Sequence, residues 1–140
     1  SAAHATTTGK IMRSVFLLLA ACCALTGVGL GAFGAHGLKT LLTPALLEVY
    51  KTGVTYQMWH ALGLGLIAVF HQQAPAEKLL HWAGWLMFSG ILLFSGSLYL
   101  LAVLNLKWLG IITPFGGVAF LAAWLLLARF AIKPVNSEFN

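Results

Sequence analysis

Long apolar runs, broken at wide intervals by single charges, organise the whole chain. The charges fall at Lys10, Arg13, Lys39, Glu48, Lys51, Glu77, Lys78, Lys107, Arg129, Lys133 and Glu138, and between them lie four charge-free windows of 25, 25, 28 and 21 residues. A bilayer-spanning helix needs about 20 mostly apolar residues at about 1.5 Å rise each. The windows therefore predict four transmembrane helices, placed at Val15 to Ala35, Thr55 to Phe70, Leu79 to Val103 and Thr113 to Ile132. Strict apolar/polar alternation over about ten residues, the signature of a transmembrane barrel, is missing from all four. The expected fold class is an all-α membrane protein, a four-helix transmembrane bundle. It divides the chain into a polar tail over 1–11, a membrane domain over 12–132 and a C-terminal tail over 133–140.

Local signals refine the ends. Thr43-Pro44 and Thr113-Pro114 each put a capping hydroxyl before a proline at the first helical position, where a missing N–H costs nothing. Both read as helix starts. The stretch Pro44 to Gly53 mixes apolar Leu46, Leu47, Val49 and Tyr50 with Glu48 and Lys51. It reads as a short interfacial helix between spans one and two, the alternative being a protruding start of the second span. Trp82 and Trp85 at one end of the third span and Trp108 at the other occupy interface positions. Leu38-Lys39 before Thr43-Pro44 resembles Leu106-Lys107 before Thr113-Pro114, which suggests two helical hairpins or simply two similar turns.

The N-terminal region has two readings. Lys10 and Arg13 ahead of Val15 to Leu25, with Leu19-Ala20-Ala21-Cys22, fit a signal or lipoprotein leader. A retained first span is the preferred reading, because the apolar run continues to Phe33, beyond a signal core of about 7–15 residues. Residues 1–11, Thr-rich and without an acid, fit an added tag or a processing remnant. Cys22 and Cys23 point about 100° apart on a helix and are expected to act as small apolar residues.

Composition closes off whole classes. Of 140 residues 60% are hydrophobic and 8% charged, too few charges to cover a soluble globule. The net charge of +5 is scattered, which excludes a nucleic-acid partner. The expected partner is the lipid bilayer. Five basic residues fall on the terminus side (Lys10, Arg13, Lys78, Arg129, Lys133) against three on the other (Lys39, Lys51, Lys107). The positive-inside rule then places both termini in the cytoplasm of a bacterial inner (plasma) membrane, or in the equivalent compartment of a mitochondrial inner membrane. Glu48, Glu77 and Glu138 all read as loop or tail residues, and spans without a carboxylate argue against proton- or sodium-coupled transport.

Two kinds of residue inside the spans carry information. Gly27, Gly31 and Gly34 form a small-residue stripe on the first span, with Gly90 and Gly96 on the third and Gly116 and Gly117 on the fourth. Such residues mark close helix contact, inside one bundle or across a homo-oligomer seam. Polar residues gather toward the loops opposite the termini: His36, Tyr56, Gln57, His60, Ser95, Ser97, Tyr99 and Thr113. Tyr56 and His60 share a helix face, and the group is expected to form one hydrogen-bonded cluster.

Four ordered motifs carry a resemblance. Gly31-Ala32-Phe33-Gly34-Ala35-His36-Gly37-Leu38, Thr52-Gly53-Val54-Thr55-Tyr56-Gln57-Met58-Trp59-His60-Ala61-Leu62, Phe94-Ser95-Gly96-Ser97-Leu98-Tyr99 and Ile112-Thr113-Pro114-Phe115-Gly116-Gly117 look like the YgdD/YwdK family. That family comprises small bacterial inner-membrane proteins with mitochondrial relatives, and is a domain of unknown function. The resemblance implies a four-span membrane protein and supplies no reaction or ligand. Three functions remain in view. The preferred one is a non-enzymatic structural or accessory component, in a homo-oligomer or larger inner-membrane complex, with no cofactor. The second is a small-molecule, lipid or metal site in the polar cluster, with His36 and His60 at similar depth as ligands of a b-type haem or metal; His71 and His81 flank the opposite loop and form a second such pair. The third, an intramembrane hydrolase using Ser95 or Ser97 with His60, lacks a nucleophile-elbow motif and is disfavoured.

Overall fold

The computed structural model describes residues 12–135. Both polar tails, residues 1–11 and most of 133–140, lie outside that range, with Lys133, Pro134 and Val135 within it. Four helical spans follow one another up and down: Val15–Leu38, Pro44–Gln73, Lys78–Leu104 and Lys107–Ile132. The first is helix α1 (Val15–Phe33) continued by a π-helical turn, Gly34–Leu38; the second is α2 (Pro44–Gln73). The third is α3 (Lys78–Gly90) and α4 (Gly96–Leu104), joined without a break by a π segment, Ile91–Ser95. A 3₁₀ turn at Lys107–Ile111 leads into α5 (Thr113–Ile132).

Caps explain most of the boundaries. The Ser14 hydroxyl accepts from the Leu17 N–H at 3.1 Å, and the Thr43 hydroxyl from the Leu46 N–H at 3.3 Å ahead of Pro44. The Glu77 carboxylate accepts from the Leu79 N–H at the start of α3. Asn105 ends α4 in the left-handed region with φ 55°, a conformation Asn tolerates better than most side chains.

The separate interfacial helix expected at Pro44 to Gly53 does not form; those residues are the first third of α2. At about 1.5 Å per residue α2 is about 45 Å long, about 15 Å more than the hydrocarbon core. Its first ten residues can therefore project beyond the hydrocarbon. Tyr50 holds this projection down: its ring is buried and its hydroxyl donates to the Leu30 carbonyl at 2.6 Å. Glu48 is thus a helical residue rather than a loop residue, exposed and 3.4 Å from Lys51 one turn on.

α2 is the centre of the bundle. In its most apolar 18-residue window 44% of residues are buried, against 22% in the first and last spans. It packs on α1 and on the third span, while α3 packs on α5. The apolar core lies toward the termini, where Phe16, Ala20, Leu64, Ile67, Ala83, Met87 and Ala123 interlock. Leu25, Leu62, Leu121 and Leu125 face outward, each about two-thirds or more exposed, as a lipid-facing surface requires. At the terminus end Phe16 contacts the rings of His71, His81 and Trp85, and the two histidine rings lie 6.5 Å apart, centroid to centroid. Below them Lys133 donates to Glu77 at 2.8 Å. That hydrogen bond, helped by the Leu79 N–H, holds the Glu77 carboxyl below the usual carboxylate range.

Candidate functional site

Inside the membrane a backbone carbonyl or side-chain donor has no water to turn to, so each polar side chain in the loop-side half must find a partner on another helix or on its own turn. Gln57, in the middle of α2, does this for three helices at once. Its amide nitrogen donates to the Cys23 carbonyl at 2.8 Å and to the Thr26 hydroxyl at 2.9 Å on α1. Its amide oxygen accepts from the Tyr99 hydroxyl of α4 at 2.6 Å. Thr26 in turn donates back to the Cys22 carbonyl at 2.9 Å. This network fixes which end of the amide is nitrogen.

Besides Tyr99, two more hydroxyls fasten the third span to its neighbours. Ser95, fully buried at the end of the π segment, donates to the Gly53 carbonyl of α2 at 2.7 Å. A Cβ on Gly53 would come within 2.8 Å of the Tyr99 ring, so the missing side chain is what lets this contact close. Ser97 lies 2.6 Å from the Thr113 hydroxyl on α5 and 2.9 Å from the Phe94 carbonyl. Thr113, expected to cap α5, therefore does something else. The preceding 3₁₀ turn runs straight into the helix, Ile112 is already helical, and the Thr113 hydroxyl crosses to Ser97 instead.

His60 belongs to a neighbouring aromatic group. Its Nδ1 lies 2.7 Å from the Tyr56 carbonyl, and its Nε2 accepts from the Trp124 indole N–H of α5 at 3.1 Å. A carbonyl only accepts and an indole N–H only donates, so the arrangement specifies a neutral ring with the proton on Nδ1. Phe120 stacks on the ring at 3.5 Å between centroids. Ser95 and Ser97 are engaged elsewhere, and neither is bonded to His60.

His36 does not join His60. Along the antiparallel α1/α2 contact Gly34 faces Tyr50, Gly31 faces Val54, Gly27 faces Met58 and Gly65 faces Ala20. On this register His60 lies level with Leu25, eleven residues below His36, or about 16 Å. The similar depth expected for the two imidazoles is thus corrected: His36 is exposed in the π turn above the bundle. Among the described residues no three His, Cys, Asp or Glu side chains are grouped to hold a metal.

The glycines divide in the same way. Gly27, Gly31 and Gly34 seat α1 on α2, a Cβ on Gly90 would strike the Phe120 ring, and one on Gly116 would strike the Phe94 backbone. Gly96 has nothing within 4 Å of a Cβ position, and Gly117 only the edge of Phe94 at 4.0 Å. Gly96 therefore marks no close helix contact, and Gly117 only an ordinary van der Waals one.

Three participants escaped sequence reasoning. Thr26 sits within the glycine stripe and, by the α1/α2 register, close to the level of Gln57. Trp124 is a mid-span indole whose N–H demands an acceptor. The Gly53 carbonyl is backbone and carries no sequence signal beyond the glycine itself.

Comparison with known proteins matches residues 30–117 to the family described as "Protein of unknown function (DUF423)". The UPF0382 membrane protein YwdK of Bacillus subtilis is 50% identical over 119 residues, 85% of this chain and 97% of that protein. UPF0382 membrane proteins of Staphylococcus haemolyticus and Staphylococcus saprophyticus are 47% and 48% identical, over 87% and 85% of this chain and 98% of each relative. No solved structure matches.

Proposed function

The chain belongs to the DUF423 family of membrane proteins, and from that premise we propose that it is a non-enzymatic structural or accessory component of a bacterial inner membrane, with both termini in the cytoplasm. The observation that carries this reading is the way its polar side chains are used up. Gln57, Ser95, Ser97, Thr113 and Tyr99 bind one helix to another, and among the described residues no buried side-chain nitrogen or oxygen lacks a partner. A nucleophile needs a base beside it, and the hydroxyls of Ser95 and Ser97 are committed to Gly53 and Thr113. Bacterial relatives named as membrane proteins support the location, and the five-to-three excess of Lys and Arg on the terminus side supports the orientation.

As an accessory subunit the bundle offers a rigid apolar wall to a larger membrane assembly. Extraction in mild detergent, followed by gel filtration and quantitative mass spectrometry, is expected to show co-migration with one assembly at a fixed ratio. A monomer under every extraction condition contradicts the accessory role. Orientation is checked separately by cysteine labelling at Lys39→Cys, expected to react only from the non-cytoplasmic side.

A further inference from the structure

At the terminus end α5 packs chiefly on α3, and a groove of about 660 Å³ is left between it and α2. Leu66 and Phe70 of α2 and Leu127 and Phe130 of α5 line this groove, and the two phenylalanine rings meet edge to face at 5.9 Å. Leu66 and Phe70 are 45% and 38% exposed, so the groove opens sideways to lipid. Leu66 and Leu127 lie seven and five residues inside the helix ends at Gln73 and Ile132, which gives an apolar trough about 8–10 Å deep.

Two opposite charges stand at its mouth. Glu77 caps α3 and Lys133 follows α5, both at the terminus-side ends of their spans, and among the described residues they are the only charged side chains lining the groove. Lys133 donates to one Glu77 oxygen at 2.8 Å, and the Leu79 N–H reaches the other at 3.4 Å. That engages one of three ammonium donors and about half the acceptor capacity of the carboxylate. Both side chains stay partly open, Lys133 at 48% and Glu77 at 15% exposure. The Lys133 hydrogen bond holds the Glu77 carboxyl below the usual carboxylate range, so both groups are ionised at neutral pH.

We propose that this groove binds a zwitterionic phospholipid with a primary-amine headgroup, phosphatidylethanolamine: its phosphate meets Lys133, its ammonium meets Glu77, and the upper part of an acyl chain lies along Leu66, Phe70, Leu127 and Phe130. Charge complementarity selects this occupant. One cation and one anion at the mouth match a headgroup that carries one of each, and the four groups then alternate in sign. An anionic lipid would meet a mouth whose own charges sum to zero. Arg129 does not change that sum, because it stands two residues from both Leu127 and Ala131, about 160° around α5 from each, and does not line the groove. A choline headgroup has no N–H to offer, whereas a primary ammonium donates charge-assisted hydrogen bonds to a carboxylate. The site stands independently of whether the bundle serves a larger assembly.

The test is native mass spectrometry of the full chain in detergent with three lipids that share the same chains: dioleoylphosphatidylethanolamine, dioleoylphosphatidylcholine and dioleoylphosphatidylglycerol. The ethanolamine lipid is expected to be retained about fivefold above each of the others. Glu77→Gln keeps the size of the side chain and an acceptor for the Leu79 N–H, and is expected to abolish that preference while leaving retention of the choline lipid unchanged. A merely structural role for Glu77 would lower all three lipids together. Ala131→Trp puts an indole into the groove from an exposed position, and is expected to reduce retention of the ethanolamine lipid at least about fivefold. Retention of the glycerol or choline lipid at or above the ethanolamine lipid overturns the proposal. So does a preference unchanged in Glu77→Gln, a parallel loss of all three lipids there, or full retention in Ala131→Trp. The order of the three lipids on the wild-type chain decides the matter even where a variant fails to fold.

Discussion

Toward the termini, Phe16, Leu64, Ile67, Ala83 and Met87 interlock with no side-chain hydrogen bond among them. Toward the loops, α1, α2, α4 and α5 are joined by Gln57, Tyr99, Ser95, Ser97 and Thr113. Lipid tails are as apolar as Leu, so the first region gains only from close packing, and the second adds direction. A packed apolar face tolerates sliding by a turn; a carbonyl bonded to one hydroxyl does not. The two halves thus divide the work, one supplying contact area and the other fixing register. Both π segments fall in the loop-side half, where one widened turn places Ser95 against Gly53, consistent with the recurrence of such turns at functional positions.

The strongest way to break this division is to force the helices apart at a point where nothing yields. At Gly116 a Cβ would run into the N and Cα of Phe94, and backbone cannot swing aside. Gly116→Ala is expected to cost about 3 kcal/mol or more, at the upper end for overpacking, and to abolish the folded bundle in thermal unfolding followed by circular dichroism. Gly84→Ala, on the apolar side, meets the Phe16 ring at 2.5 Å. A ring can turn, so about 1–2 kcal/mol is expected there. Equal costs at the two glycines would remove the distinction between backbone-limited and side-chain-limited contact.

Next in size is Gln57→Leu, which keeps the bulk and removes three interhelical hydrogen bonds. In membrane bundles such bonds average about 0.6 kcal/mol each, so a loss of about 2 kcal/mol is expected. The register should suffer as well: disulfide trapping between Gly31→Cys and Val54→Cys, neighbours in the native contact, should fall while off-register pairs rise. Tyr99→Phe, which deletes one bond of the three, is expected to cost about 0.6 kcal/mol and to leave the trapping pattern unchanged.

How much of this was legible beforehand follows the same division. The four spans, the Thr43 cap and the α1 contact face are written in charge spacing and small residues, which report on the bilayer and on close approach. The π segments are not, because in a run that is apolar all round one widened turn leaves no mark in periodicity. The projection of α2 was obscured by Glu48 and Lys51, whose charges look like a loop yet sit on the exposed side of a helix beyond the hydrocarbon. His36 and His60 were set level because each stands near the end of its own apolar window, whereas depth depends on the register between helices. The role of Thr113 was hidden in a local motif that fits a cap as well as it fits a long-range bond to Ser97.

The smallest effect belongs to an ion pair of the terminus half, Lys133 to Glu77, and it sharpens the comparison because water competes for it. The hydrogen bond from Lys133 keeps the Glu77 carboxyl below the ordinary value of 4.5. A carboxylate whose folded value is depressed stabilises the fold above its unfolded value and loses that contribution as pH falls through the folded one. The difference in melting temperature between the wild type and Glu77→Gln is therefore expected to be small and constant from pH 7 to about 5, and to shrink below the ordinary carboxylate value. Lys133 is 48% exposed, so 0.5 M salt should diminish the difference already at pH 7. The effect of Gln57→Leu, lying inside the membrane and involving no ionised group, should respond to neither. A salt-sensitive Gln57→Leu effect would show that water reaches the loop-side network, and would remove the physical basis for assigning register to that half.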